Sequence, residues 1–330
     1  MSDTEQKLQD PQNKPTRTDQ MQRYTLVRRI LRRVPYSLGT RVLNLTLIKM
    51  LLRWVFKANS RPLQHLNQHL NQHLNQHLKQ KPIKPWQRDT FIQVNFLSNW
   101  RLSTLPLASE PTFNRYVSFS GLEHLERYRG TRGIILCNSH FGAGKLAAPL
   151  LARKGYEVLT LDRVNSYNYA GKANLTQRLT CVVMGTRHQS NFLVKALFKC
   201  QRTLSKKGIV HLVADGYRGN SAVVTDFLGM QREFRTSFAD LALAADAVAV
   251  PIVGRIKANG EITIDLLPPI DPRDIEGSNG DKVETMCKHY SKLLDTLWRD
   301  EPEQVFKHDI RVLFDHSQSI SNTINTPAEA

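Results

Sequence analysis

The stretch GIILCNSHFGAGKLAAPLL, Gly133 to Leu151, decides the fold of this chain. It starts with an apolar strand pattern, passes through a short polar turn that holds His140, and continues with helical spacing of its apolar residues. A buried strand followed by a glycine-containing turn and a helix is typical of an α/β domain. The carboxyl ends of parallel strands are where such domains bind their ligands. The stretch therefore predicts a parallel sheet with His140 at its functional edge.

Alternating strand and helix patterns continue on both sides of this stretch. Candidate strands are RYVSFSG, GIILCN, EVLTL, CVVM, GIVHLVA, AVAVPIVGRI and EITIDLL. Candidate helices cover 122–129, 143–154, 190–205, 237–246 and 281–299. These patterns predict an α/β fold with a central, mostly parallel sheet flanked by helices, preceded by a basic helical region that associates with a membrane.

Composition divides the chain into five parts. We interpret residues 1–20 as a polar, disordered tail, 21–62 as a basic amphipathic region and 63–110 as a low-complexity repeat with linker helices. Residues 111–316 form the α/β domain, and 317–330 a second disordered tail.

The repeat, QHLNQHLNQHLNQHLKQ, would place leucines and histidines in two helical stripes. Because a period of four drifts by about 40° per repeat against the helical turn, the histidines do not converge on one metal, and a spacer helix is favoured.

The net charge of +17 and the pI near 9.9 favour an anionic partner. No acidic residue occurs between Asp19 and Asp89. Within that window, Lys49, Arg53 and Lys57 share one helical face and leucines occupy another, as in a helix that lies in a membrane interface. The alternative is an ordinary helix packed on the domain. A nucleic-acid binder is disfavoured, because the basic residues alternate with Leu, Ile and Val rather than with aromatic residues.

The other compositional signals are mainly exclusions. The N-terminus has no apolar core typical of a secretory signal, and no apolar run is long enough for a membrane-spanning helix. The four cysteines are too far apart in sequence for a metal or redox pair and suit a reducing compartment. A nucleophilic Cys137–His140 pair is an alternative, but the apolar strand around Cys137 favours a buried thiol.

The chemistry of the turn depends on His140. A histidine at a helix N-terminus tends to stay neutral, and neutral imidazole can remove a proton from a hydroxyl that attacks a carbonyl carbon. Asn138 lies beside it, and Gly142 and Gly144 allow close backbone approach. The alternative is a structural histidine.

Charged residues follow two further strands. Asp215 ends one strand and Arg218 follows it, while Arg232 and Arg235 come before the next helix, so that the arginines could hold a phosphate. Arg163 ends another strand, where the alternative is an ion pair with Asp162. Solvated loop charges remain the alternative for the other arginines.

These motifs together resemble a known family. SGLEHLERYRGTRGIILCNSHFGAGKLAAPLLARKGYEVLTLDR, VADGYRGNSAVVTDFLG, RTSFADLALAADAVAVPIVGRIKANGEITIDLLPPI and WRDEPEQVFKHDIR, with its Pro-Glu-Gln signature, occur in the family's order. They are similar to the lipid A late acyltransferases, the lauroyl and myristoyl transferase branch of the lysophospholipid acyltransferase superfamily. The resemblance covers about 112–314.

The resemblance implies a membrane-bound enzyme at the cytoplasmic face of the inner membrane, without cofactor or metal. It would transfer a fatty acyl chain from a thioester, on acyl carrier protein or CoA, to a hydroxyl of a lipid or glycolipid. By the same resemblance His140 is the general base, and Arg163 and Asp215 support it. The residues expected near the substrates are Asn138, Gly142, Gly144, Lys145, Arg218 and Arg235.

The chain departs from the family at one position. Where the family has an acid that orients the histidine, this chain has Lys145. Three readings follow: a carboxylate from elsewhere replaces the acid, His140 acts slowly without one, or the protein is a lapsed enzyme that binds lipid as a scaffold. The candidate carboxylates are Asp162, Asp215 and Asp240. Lys145 itself either meets an anion or points into solvent.

Overall fold

The computed structural model describes residues 33–57, 60–74, 82–162, 173–184, 190–216 and 221–324. The strands in these ranges are β1 Val117–Ser120, β2 Ile134–Asn138, β3 Val158–Asp162, β4 Leu179–Val183, β5 Ile209–Val213, β6 Ala222–Phe227, β7 Met230–Arg235, β8 Val248–Ile256 and β9 Ile262–Leu266. Seven of them form one sheet in the order β1-β9-β8-β2-β5-β3-β4. Only β8 and β9 pair antiparallel within it. The predicted α/β fold with a mostly parallel sheet is confirmed.

Helices surround this sheet. In chain order they are α1 Tyr36–Leu43, α2 Thr46–Val55, α3 Arg61–Leu74, α4 Pro85–Phe96, α5 Ser98–Thr104, α6 Glu110–Tyr116, α7 Glu123–Glu126, α8 Ala147–Lys154, α9 Ala173–Arg178, α10 Ser190–Ser205, α11 Ser237–Ala244, α12 Asn279–Asp300 and α13 Lys307–Ile324. Each helix predicted within the α/β domain is present, and the one predicted from 143 begins as a 3₁₀ turn, Gly144–Leu146. Across the described ranges, no helix combines the length and the apolarity needed to cross a bilayer.

Strand β2 lies in the middle of the sheet, and all five of its residues are buried. Its side chains alternate between two core layers. Ile134 and Leu136 belong to the layer that contains the apolar residues of α8, whereas Ile135 and Cys137 belong to the layer formed by α11 and α12. A strand covered by helices on both faces needs a continuous apolar sequence, which explains the run IILC.

The sequence interpretation missed the hairpin formed by β6 and β7. These strands pair antiparallel from Ala222–Arg235 to Phe227–Met230, outside the main sheet. Leu228 and Gly229 form its two-residue turn, and both have positive φ, +56° and +77°. Two positive φ values match the twist of a tight hairpin. The segment that was interpreted as a loop leading into a helix is therefore a hairpin, packed on α12.

The N-terminal amphipathic segment is two helices rather than one. Helices α1 and α2 are separated at Asn44 and Leu45. Helix α2 is attached to α4 by a bidentate ion pair between Arg53 and Asp89, with both distances 2.7 Å, and by the stacked rings of Phe56 and Phe96. Arg53, which was expected on a basic outer face, therefore faces the protein.

Anchored in this way, α1 and α2 leave their apolar residues exposed. No side chain of α2 is fully buried. We call the exposed set the N-terminal apolar face; it consists of Leu38, Val42, Leu45, Leu47, Met50, Leu51, Trp54 and Val55. Helix α2 is therefore attached to the protein on one side and exposes apolar residues on the other.

The described part of the His/Leu repeat is not a spacer. In α3, Leu63, Leu66 and Leu70 are buried in the same core layer as Trp298. The ring of His69 lies 2.8 Å from the carbonyl oxygen of Leu228 through Nε2. Leu66 and Leu70 of the leucine stripe are therefore part of the core, and the spacer interpretation is wrong for this part of the repeat. The rest of the repeat, 75–80, lies outside the described residues.

At the C-terminal end the boundary also differs from the prediction. Helix α13 continues to Ile324, although a disordered tail was expected from residue 317. Its apolar residues Ile310 and Leu313 pack into the core layer that contains α3, so this helix completes the domain. The predicted tail at 1–20 lies outside the described residues.

Candidate active site

The turn after β2 is held by backbone contacts on two sides. The backbone N–H of Gly142 donates to the carbonyl of Gln304 at 2.7 Å, and that of Ala143 donates to the carbonyl of Gly254 at 2.7 Å. The side-chain amide of Gln304 in turn bonds both backbone groups of Ile256, at 2.8 and 3.1 Å. The Pro-Glu-Gln signature therefore clamps the turn against strand β8.

The two glycines of the turn are needed for the protein's own packing. A Cβ on Gly142, which has φ +49°, would lie 2.0 Å from the carbonyl oxygen of Gly254. A Cβ on Gly144 would lie 2.1 Å from the side-chain oxygen of Asn138. Asn138 is 1% exposed, and its backbone carbonyl accepts hydrogen bonds from Tyr290 and Ala214. The three predicted residues thus shape the turn from within.

Strand register brings His140 to Asp215. Strands β2 and β5 are parallel neighbours in which Asn138 pairs with Val213, and the two site residues follow these by two positions each. Nδ1 of His140 lies 3.0 Å from Oδ1 of Asp215, and the backbone N–H of His140 donates to Oδ2 at 2.9 Å. Asp215 is only 2% exposed, whereas the His140 side chain retains 30% exposure. The pair has the geometry of an imidazole oriented by a buried carboxylate.

The chain matches a known protein family. A family model described as bacterial lipid A biosynthesis acyltransferase matches residues 27–306. The chain belongs to this acyltransferase family. The match starts well before residue 112, where the recognised resemblance began, so that it includes α1 to α6. A search of curated proteins found no match.

Of the three carboxylates considered from sequence, Asp215 is the one that contacts the ring of His140. Of the other two carboxylates considered from sequence, Asp240 is exposed and accepts a 2.6 Å hydrogen bond from the hydroxyl of Thr236, and Asp162 ends β3. Lys145 is exposed in the 3₁₀ turn, and its charge acts to lower the pKa of His140. The first of the three readings of Lys145, a carboxylate supplied from elsewhere, is thus the one that the geometry favours.

Arg232 is a buried residue that holds the backbone of Asp215 in place. Its guanidinium donates to the backbone carbonyl of Asp215 at 3.1 Å and lies over the rings of Phe227, Phe234 and Trp298 at 4.7, 4.6 and 5.5 Å. Arg232 is 3% exposed, so it is a buried support rather than the phosphate ligand that its sequence position indicated. Arg235 pairs with Glu233 at 2.9 Å at the end of β7. The predicted residues Arg163 and Arg218 lie outside the described residues.

A second carboxylate, missed from the sequence, also faces His140. Oδ1 of Asp309, in the first turn of α13, lies 3.6 Å from Nδ1 of His140, and Asp309 is 2% exposed. The family match ends at residue 306, just before it. An acidic residue soon after the Pro-Glu-Gln signature was the available signal, but its direction toward His140 depends on how α13 packs.

The two carboxylates determine the protonation of His140. Burial lowers the pKa of His140, but the charge and hydrogen bond of Asp215, together with the charge of Asp309, outweigh it and raise the pKa to about 9. The two nearby carboxylates therefore act against the expectation that a helix N-terminus keeps His140 neutral. Burial also raises the pKa of the Cys137 thiol well above its ordinary value, in agreement with a buried thiol and against a nucleophile.

We expect Gly144→Ala to destabilise the protein, because the new Cβ would overlap the Asn138 side chain beneath it. The loss in free energy of unfolding should be roughly 1–3 kcal/mol, as for other overpacked sites. Gly280→Ala is the matched control, since its Cβ would meet only Ser278 Oγ, at 3.6 Å. Denaturant unfolding of both variants is the measurement. Equal stability of the two variants would contradict the tight packing of the turn.

Proposed function

We propose that the protein transfers a fatty acyl group from an acyl thioester to a hydroxyl of a lipid or glycolipid acceptor, with His140 as the general base. The observation that carries the proposal is the 3.0 Å contact between His140 and the buried Asp215, at the edge of the sheet of an acyltransferase-family domain. Asp215 supplies the carboxylate whose family position is occupied by Lys145. The alternative of a lapsed enzyme is disfavoured for that reason.

The geometry supports a direct transfer. Because Nδ1 of His140 faces Asp215, Nε2 is the nitrogen available to the acceptor hydroxyl. It takes the hydroxyl proton as the oxygen attacks the thioester carbonyl carbon, and Asp215 stabilises the imidazolium that forms. The tetrahedral intermediate then collapses, the carbon–sulfur bond breaks and the leaving thiolate receives the proton from His140. No acyl-enzyme is required.

The substrates contain anionic groups that need cations. We assign this role to Lys145 and Arg235 among the described residues, and Arg163 and Arg218 stay predictions. Lys145 is exposed in the 3₁₀ turn five residues after His140, where a cation can meet the phosphate groups of an acyl donor or of a lipid head group.

We expect His140→Ala to abolish acyl transfer and Asp215→Asn to lower kcat by about 10²–10⁴-fold, because the imidazole loses its orienting acceptor. Purified protein would be assayed with labelled acyl-CoA and acyl carrier protein against a panel of lipid acceptors. Asp240→Asn makes the same change on an exposed carboxylate and should leave the rate unchanged.

Lys145→Glu tests the alternative that the wild-type protein is a lapsed enzyme. If Asp215 already serves as the acid, this variant should gain no activity. Activity that appears only in Lys145→Glu would instead identify the wild type as a lapsed, lipid-binding member of the family.

We further propose that α1 and α2 attach the protein to the cytoplasmic face of the inner membrane. In the N-terminal apolar face, Leu47 and Trp54 are 80% and 76% exposed, and exposing such large apolar groups to water is costly. The Arg53–Asp89 pair and the Phe56–Phe96 stack hold α2 from behind, so these side chains point outward together. The excess of basic residues in this part of the chain suits an anionic lipid surface.

Replacing Leu47 and Trp54 together by serine should lower binding to anionic vesicles by roughly tenfold or more, because two large apolar side chains no longer enter the lipid. Co-sedimentation with vesicles of phosphatidylglycerol and phosphatidylethanolamine measures the partition. Trp86→Ser on α4 is the control, since Trp86 is 48% exposed but lies outside the apolar face. Unchanged partition of the double variant would refute the attachment.

A further inference from the structure

Two buried carboxylates face one nitrogen of His140. Asp215 Oδ1 lies 3.0 Å and Asp309 Oδ1 3.6 Å from Nδ1, and both aspartates are 2% exposed. Nδ1 carries at most one proton, so one carboxylate suffices to orient the ring. A second buried carboxylate is costly unless an opposite charge compensates it, because burial disfavours its charged form.

The surroundings of the two aspartates shift their pKa values in opposite directions. Asp215 accepts hydrogen bonds from the backbone and ring of His140, and these together with the charge of Arg232 outweigh burial and lower its pKa. Burial raises the pKa of Asp309, and the charge of Asp215 adds to that effect. Asp215 is thus the permanent carboxylate, and Asp309 is the one more easily protonated.

The other charged groups around this pair are few in the described part of the chain. Besides the two aspartates, Lys145 acts on His140, and His308 and Arg232 act on Asp309. His308 and Arg232 are cationic when protonated and favour the ionised form of Asp309, whereas the charge of Lys145 disfavours the imidazolium form of His140. With both carboxylates charged, His140 is held as imidazolium.

We propose that Asp309 is a positioning residue that sets the pH at which His140 can act as a base. Ionised Asp309 holds the proton on His140, and neutralising Asp309 releases it. This role rests on the proposed acyl transfer.

Asp309→Asn should move the rising limb of the pH–rate profile to lower pH by about 1–3 pH units, because an opposite charge near the imidazole is removed. At neutral pH kcat should rise about tenfold for each pH unit that the limb moves, as the neutral fraction of His140 grows. The plateau rate at high pH should fall, since the imidazolium of the transition state loses one stabilising charge. Asp309→Glu should retain the wild-type limb.

A direct titration separates this proposal from the proposed function. The pKa of His140 would be read by NMR from ¹⁵N-labelled histidine in the full chain, with its signal assigned by loss in His140→Gln. A lower pKa in Asp309→Asn supports the role even if no acceptor lipid is found. Asp315→Asn, an exposed carboxylate further along α13, is the control and should change neither readout. An unchanged limb and an unchanged pKa in Asp309→Asn would overturn the proposal.

Helix α10 carries a separate feature, an exposed basic stripe with an aromatic centre. Phe198 and Val194 are 67% and 50% exposed. The exposed cations on and just after the same helix are Lys195, Lys199, Arg202, Lys206 and Lys207. Because successive residues of a helix are about 100° apart, the residues of this stripe that lie between 194 and 206 share one face. The opposite face is buried through Ala196, Cys200 and Leu204.

We infer that this basic stripe docks an acidic carrier protein that delivers the acyl thioester, an inference that rests on the proposed function. No acidic residue occurs in α10, so its charge is complementary to an acidic partner. Aromatic residues such as Phe198 are enriched at the centres of protein interfaces. Helix α10 connects β4 to β5, so that its first turn lies toward the sheet edge of His140. The N-terminal apolar face differs because apolar residues dominate there, which suits lipid.

Lys195→Glu with Lys199→Glu should lower kcat/KM for acyl carrier protein at least about tenfold at low salt, with little change for acyl-CoA. Lys288→Glu with Lys292→Glu, at the same spacing on α12, is the control. Calorimetric binding of the acidic carrier protein tests docking even if transfer fails. Unchanged kcat/KM and binding would overturn the inference, as would a loss of vesicle binding in place of carrier binding.

Discussion

The hydrogen bond between His140 and Asp215 depends on the register of two central strands. Asn138 pairs with Val213, and the two site residues follow at equal distance from that pair. A slip of one residue would move one side chain to the other face of the sheet and separate the pair. The clamp formed by Gln304 and the buried Arg232 below Asp215 hold the ends of both strands in this arrangement.

The position of the carboxylate differs from the one that the sequence resemblance implies, which is the position of Lys145. An acid one helical turn after the histidine would be local in sequence, whereas Asp215 reaches His140 across 75 residues. Lys145 at the local position opposes the carboxylates by lowering the pKa of His140, but Asp215 and Asp309 together prevail. The pKa of His140 is therefore higher than a single carboxylate would make it, and the imidazolium form is favoured.

An ion pair decides which face of the amphipathic helix α2 is exposed. Arg53 binds Asp89, and this contact orients α2 so that Leu47 and Trp54 face outward. The pair is partly buried, with side-chain exposures of 34% and 8%, so its contribution is mainly to orientation rather than to stability. The apolar face that results is separate from the basic stripe of α10, so the two surfaces can serve a lipid and an acidic protein independently.

The amino-acid sequence by itself determined the sheet, the helices of the α/β domain and the place of His140 at a strand end, because buried parallel strands and amphipathic helices have strong periodic patterns. It also named Asp215, through its position at a strand end. Tertiary structure decided the rest. Asp309 and Arg232 reach the site only through the packing of α13 and of the β6–β7 hairpin, and Leu66 and Leu70 of the repeat are buried where α3 meets α13. The charge state of His140 depends on distances between residues far apart in sequence, and no local pattern contains those distances.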